Sequence, residues 1–300
     1  MNVTRFTIIA FGLLATGAAH ADLRVFACEP EWAALAEELG GDAVKAQSAI
    51  TGRQDVHYIQ ARPSLIAGVR RADLVICTGA DLEVGWLPLL LRQGGNPGVQ
   101  PAQPGFFEAS RHVDMKEVPQ RVDRAEGDIH PYGNPHVQLD PRNIGRIAEA
   151  LVGRMQKLDP ENADIYARRH RNFAGRWDAA IARWTEQAAP LEARRIVTHH
   201  RSWVYLNDWL GLVELGNLEP KPGIPPSAAH LAQLLDAIDG ENVTAIVRSA
   251  YQSPRASEWL ANRIHAPAIV VPHTVGSVDG ADDLFSLFDV LIARLLEAAQ

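Results

Sequence analysis

Apolar and polar positions along the chain follow two rhythms that take turns. Strand-length apolar runs at Leu23–Cys28, Val44–Ile50 and Ala72–Thr78 are separated by Glu31–Leu39 and Pro63–Arg71, where apolar residues recur at helical spacing. Trp86–Arg92 adds a helix that stops at Gly94-Gly95-Asn96-Pro97-Gly98, and positions 100–132 carry Pro, Gly and charge with little period, which reads as mostly loop. Beyond Asp140-Pro141 the texture is helical. Arg142–Leu158 is one helix, and Glu161–Ala188 is a second, with Ile165, Phe173, Trp177, Ile181 and Trp184 on one stripe. A helix of roughly 28 residues is about 40 Å long, so it reads as a rigid spine rather than a linker. Strands then return at Arg195–Thr198, Leu212–Asn217, Ala245–Arg248 and Ala268–Val271. They alternate with helices at Trp203–Leu210, Ser227–Asp236 and Pro254–Ile264, and a closing helix at Asp283–Ala299. Such alternation predicts an α/β protein with mostly parallel sheets covered by helices. The expected divisions are an N-terminal α/β lobe over 22–143, connecting helices over 144–189 and a C-terminal α/β lobe over 190–300.

The first 21 residues are expected to be a signal peptide. Arg5 supplies the positive start, Phe6 to Ala19 the apolar core, and Ala19-His20-Ala21 an A-x-A site, so cleavage is expected after Ala21. The apolar stretch is short for a membrane span. The expectation is a soluble exported protein, most simply periplasmic. Loss of this segment moves the formal charge from -7 to -8, because it contains Arg5 and no acid. A mildly acidic balance argues against nucleic-acid binding, which needs a basic face. Cys28 and Cys77 close two strand-like runs that could be neighbours in a parallel sheet. A disulfide and a pair of buried thiols are both open on this reading, and the spacing fits neither a metal nor a redox C-x-x-C site.

The chemistry-bearing positions lie where strands or irregular segments meet helices. They are His57 in Asp55-Val56-His57-Tyr58, His136 in Gly133-Asn134-Pro135-His136, His200 in Thr198-His199-His200-Arg201, and Asp283 in Ala281-Asp282-Asp283-Leu284. Ligands on parallel α/β sheets gather at the carboxyl ends of strands. Three imidazoles and one carboxylate suit a tetrahedral zinc ion, whereas manganese favours more oxygen donors. His199 competes with His200, and Asp282 with Asp283. Asp55, Glu83 and Asp140 are the acids near enough in sequence to orient an imidazole, although each also has an ordinary role as a surface or capping acid. His130, with His112, Asp114, Asp123, Glu126 and Asp128, lies in a segment read as a solvated loop that could also capture metal. His273 reads as a cleft-lining hydrogen-bonding residue. A zinc hydrolase is the competing class, but no H-E-x-x-H helix is present and no general base stands at recognisable spacing.

Taken together, these residues resemble a family. Asp55-Val56-His57-Tyr58 before Pro63-Ser64, Ala72-Asp73-Leu74 followed by Gly79 and Leu82-Glu83, Asn134-Pro135-His136 with Leu139-Asp140-Pro141, the His200/Tyr205 pair, and Val275-Gly276 ahead of Asp283 are similar to the periplasmic zinc/manganese-binding receptors of ABC importers, the cluster A-I receptors of the ZnuA and AztC type. The resemblance covers essentially the whole chain after the leader. It implies two (βα)4-type lobes with parallel sheets joined by a long rigid helix and a metal site in the cleft between them. It also implies His57, His136, His200 and Asp283 as ligands, Zn2+ as cargo with Mn2+ second, and no enzymatic activity. The implied partners are an inner-membrane ABC permease and a periplasmic metal donor, with the receptor itself a monomer. The family spacing from ligand to tyrosine favours His200 over His199. Gln138 departs from the pattern, standing where many relatives carry an aromatic residue, and Arg248-Ser249 stand where many carry an acid.

Overall fold

The computed structural model describes residues 22–121 and 127–300; the leader, Asp123 and Glu126 lie outside them. The N-terminal lobe is built from β1 (Leu23–Ala27), α1 (Pro30–Gly40), β2 (Val44–Ser48), α2 (Pro63–Arg71), β3 (Leu74–Cys77), α3 (Leu87–Gly94) and β4 (Phe106–Glu108). Its sheet has the order β2-β1-β3-β4 with every pair parallel. The C-terminal lobe repeats the plan. β5 (Arg195–Thr198), α6 (Val204–Leu210), β6 (Val213–Asn217), α7 (Ala228–Ala237), β7 (Val243–Arg248), α8 (Pro254–Ile264) and β8 (Ala268–Val270) give the order β6-β5-β7-β8, again all parallel. Between the lobes run α4 (Pro141–Leu158) and α5 (Ala163–Ala188), and α9 (Leu284–Ala298) closes the chain.

The periodic segments folded as their patterns dictate. β1 and β3 are central strands, and their near-continuous apolar runs are buried on both faces. α2 and α4 begin with a proline in the first turn, where its missing N–H is no loss. Asp140 caps α4 by accepting from the Arg142 N–H at 2.9 Å. One short strand, β4, falls inside the segment read as loop. Its three residues pair with β3 from Val75↔Phe106 to Cys77↔Glu108, too short a run to show a period.

α5 is 26 residues long, about 39 Å at 1.5 Å per residue. Its buried Phe173, Trp177 and Trp184 meet Phe285 and Phe288 of α9, with Trp177 4.9 Å from Phe285 and Trp184 5.1 Å from Phe288 between ring centroids. A single apolar core continues from Leu23 and Val25 through this aromatic stack to Leu291 and Leu295. The lobes therefore share a packed interior, which resists large relative rotation. Cys28 and Cys77 form a disulfide that joins the ends of the neighbouring strands β1 and β3, with a Cα–Cα distance of 4.8 Å. Among the described residues no helix is long and apolar enough to cross a membrane.

Candidate metal centre

All strands of each lobe point their carboxyl ends toward the interlobe cleft, and the connections leaving those ends carry the polar residues. His57 lies in the β2–α2 connection, His136 in the connection from β4 to α4, and His200 in the turn from β5 to α6. The structure brings these three imidazoles together. Their ring centroids are 5.9 Å (His57–His136), 5.6 Å (His57–His200) and 5.7 Å (His136–His200) apart, nearly an equilateral triangle. One nitrogen from each lies within 4.8 Å of the others.

Local structure sets each ring. Asp55 Oδ1 accepts from the His57 backbone N–H at 3.0 Å and lies 2.7 Å from His57 Nδ1. Glu219, just beyond β6, holds His200 Nδ1 at 2.7 Å and accepts the Gly223 N–H at 2.9 Å. A carboxylate on Nδ1 fixes the tautomer that leaves Nε2 free, and it raises the basicity of that nitrogen. The Nε2 atoms of His57 and His136 are buried and have no protein partner. For His136 the turn is set by Asn134, whose Oδ1 accepts the His136 N–H at 3.1 Å and whose Nδ2 donates to the Arg201 carbonyl at 2.8 Å. Tyr205 Oη donates to the Asn134 carbonyl at 2.8 Å and accepts the Lys116 N–H at 3.0 Å. Gly133 has φ +108, and a Cβ there would sit 2.7 Å from the Lys116 carbonyl, so the tight approach requires glycine.

The electrostatics favour a cation. Burial, reinforced by the neighbouring His200 and His57, holds the His136 imidazole well below its usual range, so it is a neutral donor. Burial works against the Asp55 carboxylate, but the hydrogen bonds and charge of His57 outweigh it and keep Asp55 below the usual range. Two carboxylates, Asp55 and Glu219, thus stand behind three imidazoles, a charge set that a divalent ion balances. A cavity of about 390 Å³ opens onto the group, lined among others by Glu117, Asp128, His130, His136, His200 and Glu219. His130 is half-buried at this mouth, 5.5 Å from His57 between ring centroids, and burial lowers its pKa to about 4. The segment that carries it is fastened across the cleft. Tyr58 Oη donates to Asp128 at 2.7 Å, the Asp128 N–H donates to the Pro222 carbonyl at 2.9 Å, and Arg201 pairs with Glu117.

Asp283 is not brought to this group. It is exposed and caps α9: its Oδ1 accepts the Ser286 N–H at 2.7 Å, and its own N–H donates to Ser286 Oγ at 2.9 Å, a closed capping box. A carboxylate ahead of an apolar helix serves a cap and a ligand equally well as sequence, and here the cap claims it. Asp282 is exposed as well. Of the two neighbouring histidines, His200 joins the triangle, while His199 turns its Nε2 toward Glu219 at 3.8 Å. Among the acids expected near an imidazole, Asp55 takes that place. Asp140 instead pairs with Arg142 at 2.7 Å, and Glu83 accepts from the Gly79 N–H. Glu219 escaped sequence reading; its position directly after β6, at a strand's carboxyl end, was the available signal. Gln138, the departure from the family pattern, donates to the His273 carbonyl at 3.2 Å across the lobes. His112 stacks on Phe107 at 4.7 Å.

Two parallel lobes around a spine, with imidazoles converging from both, define a cleft-type metal-binding protein. The sequence matches the family described as zinc-uptake complex component A, periplasmic (ZnuA), over residues 25–298, and the chain belongs to that family. It is similar to the high-affinity zinc uptake system protein ZnuA of Paracoccus denitrificans (23% identical, covering 86% of each chain) and to the iron-binding protein YfeA of Yersinia pestis (27% identical, covering 77% of this chain and 74% of that one). Its fold matches a crystal structure of ZnuA with a TM-score of 0.78 at 22% identity, covering 93% of this chain and 100% of that one. It also matches a manganese-bound mutant of a periplasmic metal-binding protein from Candidatus Liberibacter asiaticus, with a TM-score of 0.75 at 16% identity over 92% of this chain and 99% of that one.

Proposed function

We propose that this protein is a periplasmic receptor that captures Zn2+ in the interlobe cleft and hands it to the permease of an ABC-type importer. The observation that carries the reading is the triangle of His57, His136 and His200, with two of its imidazoles backed by carboxylates through Nδ1. Nitrogen donors of this kind suit zinc better than manganese. Family membership and the named zinc relatives support the same cargo, while the manganese- and cadmium-bound relatives of similar fold make those ions the competitors to test.

In this proposal the three imidazoles are the protein ligands, and the fourth tetrahedral position is left to a water or to a donor from the delivery partner. Asp283 holds the helix cap instead. The shared core limits opening to small tilts and to ordering of the segment carrying His130, and that segment's fastening distinguishes loaded from empty receptor.

The test is metal titration of the chain from Asp22 with Zn2+ and Mn2+, alongside His57→Ala, His136→Ala and His200→Ala. One zinc per chain, preferred over manganese and weakened by orders of magnitude in each variant, is expected. Stoichiometric zinc that survives all three substitutions would place the site elsewhere, and no stoichiometric metal would end the reading.

A further inference from the structure

Three glutamates are buried together near the imidazoles. Glu29, Glu31 and Glu83 are 3%, 1% and 2% exposed. Glu29 and Glu31 stand on either side of Pro30 at the start of α1, and Glu83 lies in the turn after β3. Among the described residues no Lys or Arg pairs with any of them. Glu29 Oε2 accepts from Thr78 N at 3.2 Å and from Thr78 Oγ1 at 3.1 Å, and Glu83 Oε2 accepts from Gly79 N at 3.1 Å. Glu31 is hydrogen-bonded to the Thr274 hydroxyl from the other lobe. Neighbouring carboxylates without a counter-ion cannot all be charged in a buried place, so at least one keeps its proton.

A second observation links this cluster to the metal centre. Glu29 and Glu31 line a small cavity of about 20 Å³ whose wall also includes His136, Gln138, Ser202 and His273. On residues lining this cavity, Gln138 Oε1, Ser202 Oγ and His273 Nδ1 are buried atoms with no protein hydrogen-bond partner. Such a gathering of unpaired polar atoms is rare in a folded interior, and the space suffices for one water molecule. Glu29 and Glu31 therefore meet an imidazole of the triangle across a cavity about one water wide. The remaining titratable groups on this side are His273 and Tyr251, with Asp55 acting on His273.

We propose that Glu29, Glu31 and Glu83 form a proton store coupled to the metal centre, so that capture of a divalent cation expels one proton from the cluster. The inference rests on the reading of the histidine triangle as the metal site. In the step, the O–H bond of one glutamic acid breaks, the electron pair stays on the carboxylate oxygen and the proton passes to the solvent buffer. The new carboxylate faces the arriving cation through a low-dielectric interior, where opposite charges act on each other far more strongly than in water. Burial, with like charge from Glu83 and Glu31, already holds the Glu29 carboxyl well above the ordinary range. Burial also raises Glu31 and Glu83 to about 7. The arrangement would make retention of zinc depend on pH above the ordinary imidazole range, and reprotonation of the cluster would favour release.

The test is calorimetric zinc titration at pH 8, above the ordinary imidazole range, in two buffers of different ionisation enthalpy. The expected result is about one proton released per zinc in the wild type and about none in Glu29→Gln or Glu83→Gln, with zinc still bound. In parallel, the infrared carbonyl band of a protonated carboxyl should be lost when zinc is added to the wild type, a readout that needs no variant to fold. No proton release from the wild type, an unchanged carboxyl band, or equal release from the variants (which would assign the proton to a metal-bound water) overturns the proposal. Failure of the wild type to take zinc overturns the site reading and this inference with it.

Discussion

Asp283→Ala separates two roles that the sequence allows for one carboxylate. In the structure Asp283 satisfies the Ser286 N–H at 2.7 Å, and its backbone N–H is satisfied in return by Ser286 Oγ at 2.9 Å. Removing an aspartate N-cap costs about 1 kcal/mol, within a range of roughly 0.5–2, and loss of the favourable charge at the helix N-terminus adds some tenths of a kcal/mol. For a chain of this size that corresponds to a fall in melting temperature of about 2–4 °C. The carboxylate is exposed and the histidine triangle is complete without it, so zinc affinity should change by no more than a few-fold. His136→Ala removes one of three nitrogen donors. If a structural zinc site is worth roughly 10–16 kcal/mol shared among its ligands, that change should cost about 3 kcal/mol or more, a hundredfold or greater in affinity. The assays are thermal unfolding of the metal-free proteins and competition titration against a zinc chelator. A hundredfold loss of zinc affinity in Asp283→Ala, matching the histidine variant, would refute the reasoning and return Asp283 to the ligand set.

Three further outcomes are expected. Asp55→Asn keeps the shape but weakens the hydrogen bond to His57 Nδ1, and should reduce zinc affinity about 10–100-fold in the same competition titration. Trp177→Ala opens the aromatic stack between α5 and α9 and should cost about 3–5 kcal/mol in chemical denaturation. For the buried glutamates the sign follows from their raised pKa. Glu83 is shifted from 4.5 to about 7, so the advantage of its neutral form is fully present below about pH 4.5 and is lost as pH rises through about 7. At about 1.36 kcal/mol per unit this amounts to about 3 kcal/mol, so Glu83→Gln should flatten the decline in metal-free stability between about pH 5 and pH 8. A wild-type stability that rises over that interval while the variant's does not would contradict it.

Much of this protein was written in the period of its residues. The runs at 23–28 and 72–78 read as buried strands, and the stripe from Phe173 to Trp184 as a long helix with one apolar face, because burial of a face is a local, repeating demand. The three imidazoles were legible for a related reason: each sits where a strand pattern gives way to a helix pattern, and parallel sheets collect such positions at one end. What the chain order could not settle were choices that depend on distant partners. Asp283 could cap a helix or reach a metal until Ser286 closed the capping box. His199 and His200 are adjacent, and only the turn out of β5 decided which of them faces the cleft. β4 is too short to show a rhythm and exists because β3 offers an unpaired edge. Glu219 and Asp55 take their roles from where two separate connections end in space. The buried glutamates are the extreme case, since nothing in Glu29, Glu31 or Glu83 marks them as interior. Folding buries them, because the start of α1, the turn after β3 and the loop that follows β8 come together in space.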